Sequence, residues 1–182
     1  MNLRLTLAAV TLTMISCGER VVLPSCPMDT PVQMDEWQGV RYRTQLQDAL
    51  RCSRETGRPV LLVFTGYAVS GYGPHTTWHV FEREDVQRLI NDRLVLCALM
   101  VDDREPLAPE DLVGFPQLKG NPTTIGQRNS MLEAEFFSKQ SQPLYTLVNA
   151  DMTSLAEPLG YVPKENAADV VQWIEANLEK LQ

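Results

Sequence analysis

Three kinds of side chain in this chain could do chemistry: four cysteines, two histidines and a pair of adjacent aspartates. Cys17, Cys26, Cys52 and Cys97 lie far apart, with no Cys-x-x-Cys and no zinc-type spacing. Disulfide exchange needs an activated thiolate and a second cysteine to resolve the mixed disulfide. No such pair is written into this spacing. Cys97 falls inside the apolar run Leu94 to Val101, where a free cysteine behaves as a small hydrophobe. Cys52 lies on a helix, beside its buried face, and Cys26 in a proline-rich stretch. A Cys26–Cys52 disulfide is open to them if the compartment is oxidising and their Cα atoms approach within about 4.4–6.8 Å. An unusual thiol enzyme using Cys52 or Cys26 is the competing reading. His75 and His79 are four apart on an expected helix, a spacing that puts both on one face as metal ligands require. Only Glu82 or Glu84 could add a third ligand, so histidines that face solvent or cap the helix are the simpler reading, and no metal or cofactor is assigned. Asp102-Asp103 could do acid–base work, but at a strand end such acids more often cap a loop.

The elements around these residues follow from periodicity. Thr44-Gln45-Leu46-Gln47 fits a capping box. Leu46, Ala49, Leu50 and Ser53 then form a helical face that Gly57 and Pro59 end. Val60 to Phe64 is an unbroken apolar run, as suits a strand buried on both faces. After a loop, Pro74 suits a helix start because it has no N–H to leave unpaired. That helix is expected to continue to Asn91, with Val86, Leu89 and Ile90 apolar. Leu94 to Val101 is a second buried strand. Residues 104–123 hold four prolines and two glycines and read as a surface excursion. Ile125 to Phe137 reads as a helix, with Met131, Leu132, Phe136 and Phe137 apolar. Leu144 to Val148 reads as a strand, and Leu155 to Val162 as a weaker one. Asn166 with Asp169 is expected to cap a last helix whose buried stripe is Val170, Val171, Ile174, Leu178 and Leu181. Strands divided by helices, then two adjacent strands, imply a mixed sheet with helices on both faces.

The first residues, MNLRLTLAAVTLTMISC, read as an export signal: Arg4 is followed by an apolar core too short to span a bilayer. Met14-Ile15-Ser16-Cys17 resembles a bacterial lipobox, in which the signal is cut before a cysteine that is then lipidated. An ordinary cleavable signal with an incidental Cys17 is the alternative. By resemblance to bacterial sorting rules, Gly18 favours the outer membrane. Residues 18–36 carry three prolines and no period and read as a tether. Loss of Arg4 with the signal would make the net charge of −7 more negative by one. No basic stretch tracks a phosphate backbone, so nucleic acid is not an expected partner.

Several motifs in order resemble one family. GRPVLLVFTGY resembles the strand leading to the active site in the thioredoxin-like domains of bacterial thiol–disulfide interchange reductases. LVLCALMVDD is similar to the next strand. TTIGQRN, SQPLYTLVNADMTSL and EPLGYVPKENAADVVQWIEANL resemble the remainder, over roughly residues 37–181. The resemblance implies an α/β fold: a thioredoxin-like three-layer sandwich with a central mixed β-sheet flanked by helices. The expected organisation is a signal at 1–16, a lipidated tether at 17–36 and the domain at 37–182.

The departure is at the chemistry. The family pattern after Phe-Thr-Gly-x-x is Cys-x-x-Cys at a helix start, where the helix N-terminus helps lower the first thiol's pKa. Counting forward from Phe64, the two positions fall on Val69 and Tyr72. Counting back from Val80-Phe81, they fall on Ser70 and Gly73. One residue is inserted, and neither register holds a cysteine. Pro143 resembles the cis-proline beside the family's active site, which presents substrate backbone; its other role is to shape the fold. Tyr67, Tyr72 and Trp78 surround a loop loosened by Gly66, Gly71 and Gly73. Exposed, such aromatics suit protein contact; packed inward, they are core.

The expectation is a non-catalytic thioredoxin-like lipoprotein of the bacterial envelope, facing the periplasm. It would bind a protein partner, for instance as an accessory subunit of an outer-membrane complex. Its surface would be the old active-site end: Tyr67, Val69, Ser70, Tyr72, Gly73 and Pro74 with Gln142 and Pro143. Its membrane contact would be the lipid on Cys17.

Overall fold

A computed structural model describes residues 26, 34–37, 40–67, 78–109 and 118–181. Its framework is two strands that nothing polar interrupts. β3 (Val60–Thr65) and β4 (Val95–Met100) run parallel in unbroken register from Val60 opposite Val95 to Thr65 opposite Met100, and all twelve residues are buried. β5 (Leu144–Val148) pairs antiparallel with β3, setting Phe64 opposite Leu144. On the far side of β4 lies β2 (Val40–Arg43), parallel to it, with β1 (Met34–Trp37) antiparallel to β2. The order is β1-β2-β4-β3-β5, a mixed sheet.

Side chains alternate across this sheet with period two, so each strand feeds two cores. Val60, Leu62 and Phe64 of β3 and Val95, Cys97 and Leu99 of β4 face one side, with Leu46, Ala49, Leu50 and Cys52 of α1 (Leu46–Thr56) and Leu132 and Phe137 of α3 (Ile125–Phe137). Leu61, Val63, Leu96, Ala98 and Met100 face the other. There they meet Val86 and Ile90 of α2 (Glu84–Arg93) and Val170, Val171, Ile174 and Leu178 of α4 (Ala167–Glu179). The molecule has the expected thioredoxin-like α/β fold, three layers with a central mixed sheet.

Burial outweighs local signals where they compete. A fully buried Val, Leu or Phe side chain contributes about 1.5–3 kcal/mol, against about 1 for a helix cap. Accordingly α1 starts one residue later than its capping box suggests: Gln45, not Thr44, is the N-cap, and makes no side-chain cap bond. Asn166 likewise makes none at α4, where a short 3-10 turn, Lys164–Asn166, leads in. Thr124 does cap α3, its hydroxyl accepting from the Gln127 N–H at 3.2 Å. Gly57 ends α1 in the left-handed region (φ 70°), its N–H donating to Ser53 O.

Three expected elements are corrected. The helix expected to run from Pro74 to Asn91 is broken in its described part by a turn at 79–82, and α2 starts at Glu84. Trp78, His79, Val80 and Phe81 are all buried, and no surface helix buries four consecutive side chains. Leu155–Val162 is not a strand: bridges of Ser154 to Val148 and Leu159 to Tyr145 hold it, with Pro158 between them. Leu181 lies beyond the end of α4 and is 46% exposed.

Cys26 and Cys52 form a disulfide, with Cα atoms 5.2 Å apart. Cys52 is buried rather than beside the buried face. The Arg58 guanidinium donates to Cys26 Sγ (3.4 Å) and to Asn91 O (3.2 Å). This bridge therefore sits where β3 and β4 begin.

Two stability outcomes follow. A Cβ on Gly126 would meet the Asp103 backbone N and O at 2.6 Å and Val101 O at 2.7 Å. Because rigid backbone has to give, Gly126→Ala should cost about 1–3 kcal/mol, read as a fall of roughly 2–4 °C in Tm per kcal/mol. Cys26→Ser should cost about 2–4 kcal/mol in urea unfolding under oxidising conditions; an unchanged midpoint would show that the bridge is absent in solution.

Candidate functional site

Where β3 ends, the sheet places Tyr67 and Pro143 at the same end. Thr65 is the last residue of β3, and antiparallel pairing brings the start of β5 beside it. The Gln142–Pro143 peptide is cis, as the resemblance implied. Tyr67 is 54% exposed, and its N–H donates to Asp102 Oδ1 at 2.8 Å. Asp103 Oδ1 accepts from the Glu105 N–H at 2.9 Å. Both aspartates therefore act as loop caps.

Of the expected surface residues, Tyr67, Gln142 and Pro143 lie at this end of the sheet. Gln142 is half-buried and Pro143 buried, so Pro143 lies beneath the surface rather than on it. Val69, Ser70, Tyr72, Gly73 and Pro74, along with His75 and Cys17, lie outside the described residues. Trp78 packs inward, its ring 4.8 Å from that of Tyr42 and 5.3 Å from that of Phe81. His79 is buried, not solvent-facing. Among the described residues no three potential metal ligands cluster, and no helix is long and apolar enough to cross a membrane.

No described thiol reaches this end. Cys26 and Cys52 are bonded to each other at the opposite end, the length of β3 away, roughly 20 Å for six residues. Cys97 is fully buried in β4, and burial pushes its thiol up to about 12, away from a reactive thiolate.

Sequence reasoning missed the group that shapes the loop before Pro143. Glu133 on α3 is 1% exposed. Its Oε1 accepts from the Ser141 N–H at 2.7 Å, and its Oε2 from Gln142 Nε2 at 3.0 Å. Ser141 Oγ donates to Pro143 O at 3.2 Å. Burial pushes the Glu133 carboxyl up to about 7, opposed by those two hydrogen bonds. The available signal was helical spacing: Asn129, Glu133 and Phe137 are four apart on one buried stripe. A second unforeseen feature is an open cleft of about 320 Å³ at the end of β4, lined by Val101, Asn121, Pro122, Gln127, Ser130 and Met131.

No family model and no curated protein matches the sequence. Solved structures do. The chain is similar to one described as "DsbH Oxidoreductase", at 17% identity and a TM-score of 0.50, over 84% of this chain and 94% of that one. A thioredoxin from Thermus thermophilus aligns at 18% identity and a TM-score of 0.47, over 72% of this chain and 84% of that one. At such identity the first likeness supports the fold alone.

The raised Glu133 carboxyl sets a pH dependence. Between about 4.5 and about 7 the folded protein holds a proton that the unfolded chain has lost. Stability should therefore fall as pH rises through that window, with the cost complete above 7. Glu133→Gln, which stays neutral, should remove this slope. Urea midpoints from pH 5 to 8 check it; parallel profiles for the two proteins would refute it.

Proposed function

We propose that this chain is a non-catalytic thioredoxin-like module that binds another protein through the end of the sheet where β3 stops and cis-Pro143 stands. One observation carries the reading: the fold and its proline are present, while every described cysteine is withheld from that end. Residues 66–77, between β3 and Trp78, contain no cysteine in any register. Cys26 and Cys52 are tied together far away, and Cys97 is sealed in the core. Exposed Tyr67, fixed through Asp102, supplies the kind of anchor that protein interfaces favour.

The proposal extends to Cys17 as a lipidated residue that attaches the module to the bacterial envelope, with the outer membrane favoured by Gly18. An accessory subunit of an envelope complex is the role that fits such an anchor and such a face. The lipobox resemblance supports this part.

The test has four readouts. A photo-crosslinking residue at Tyr67 should trap one protein in intact envelopes, whereas one at exposed Arg54, at the opposite end, should not. Tyr67→Ala should weaken capture roughly thirtyfold, the effect of losing about 2 kcal/mol. Insulin reduction driven by dithiothreitol should be no faster than without the protein; turnover that disappears in Cys52→Ser would overturn the non-catalytic reading in favour of a thiol enzyme using Cys52 or Cys26. Mass spectrometry of the native protein should find an acylated Cys17 at its N-terminus, and an unmodified one would refute the anchor.

A further inference from the structure

Glu133 and Gln142 pair two groups whose hydrogen-bonding choices depend on one another. Gln142 Nε2 donates to Glu133 Oε2, which uses a lone pair on that oxygen. The amide oxygen of Gln142 accepts nothing among the described residues and is not sealed in the interior. A proton on Oε2 that points at the amide makes that oxygen a donor toward Gln142 and sets two donors face to face. Turning the amide by half a revolution relieves the conflict: the amide oxygen then accepts from the carboxyl O–H, and the amide NH₂ faces outward. Oε1 keeps its bond from the Ser141 N–H in both states.

We propose that Glu133 and Gln142 form a proton-linked switch. Protonation of Glu133 turns the Gln142 amide over and replaces a hydrogen-bond acceptor with a donor on the face beside cis-Pro143. The flip rests on this geometry alone; only its meaning as regulation rests on the protein-binding reading above. A partner that donates to Gln142 would be favoured in alkaline conditions, and one that accepts from it in acid.

The surroundings let one group titrate alone. β3 and β4, the strands beneath α3, carry no charged side chain, and their single titratable group is the buried Cys97. On α3 itself, Arg128 donates through Nε to Asn129 Oδ1, and Glu135 accepts from the Lys119 N–H. On the segment after α3, Lys139 Nζ donates to Pro158 O. Glu157 and Tyr161 lie on the stretch bridged to β5, Asp102 and Asp103 at the end of β4, and His79 in the turn before α2. No charge among them contributes to the Glu133 carboxyl, whose position is set by burial and the two hydrogen bonds. With no cation among the described residues to hold it ionised, a carboxyl 1% exposed can be neutral near pH 7.

The experiment is a pH titration of the full chain followed by the side-chain amide signals of Gln142 in nitrogen–proton NMR. These signals should move between pH 5 and 8.5 with a midpoint near 7. Glu133→Gln places an NH₂ where the carboxyl O–H stands, so its Gln142 signals should be fixed across the range and match those of the wild type at pH 5. Signals that do not titrate in the wild type, or that still titrate in Glu133→Gln, overturn the switch. Gln142→Leu gives a second reading from the Ser141 backbone amide. Losing a donor to the carboxylate should raise its titration midpoint, and an unmoved midpoint overturns the coupling. No partner is needed for either reading, so failure of the docking face leaves both intact.

Discussion

The fold depends on a pair of strands with no solvent face. β3 and β4 are buried on both sides along their whole length, so helices must cover each side. α1 and α3 cover one, α2 and α4 the other. The strands' polar backbone satisfies itself within the sheet, and the only freedom left is at the strand ends. Loops, caps and exposed side chains gather there, and any function of this domain has to be built there.

The two ends are built differently. At the start of β3 and β4, the Cys26–Cys52 bridge, the Arg58 guanidinium and the Arg54 bond to Ala150 O tie together segments distant in sequence. At the other end the ties are carboxylates. Asp102 holds the backbone of Tyr67, Asp103 that of Glu105, and Glu133 the residues before Pro143. A covalent and cationic end thus opposes one whose order depends on hydrogen bonds to acids, among them Glu133, whose carboxyl burial pushes up to about 7.

Much of the architecture was legible because burial writes strong patterns. The bounds expected for Ile125–Phe137 and Leu144–Val148 match α3 and β5, since long apolar periods leave little choice. What was hidden is what depends on distant parts of the chain. The capping box at Thr44 was overruled by packing of Leu46, and the helix from Pro74 by four consecutive residues drawn inward. The β1–β2 hairpin was missed because Met34–Trp37 is short and its pairing is set by β2. The site was half legible. Pro143 and the missing cysteine pair could be read directly, and the Asp102-Asp103 caps were foreseen in kind. Glu133 could not be assigned a role, since nothing local shows that Ser141 and Gln142 will return to it eight and nine residues later.

The Cys26–Cys52 bridge has a geometric consequence for a chain held by lipid at Cys17. Only eight residues separate Cys17 from Cys26, a leash of about 30 Å when fully stretched. It is fastened to the end of the sheet where β3 begins. The domain would then hang with that end toward the bilayer and hold Tyr67 outward, so whatever meets it would have to come from the aqueous side rather than along the membrane plane.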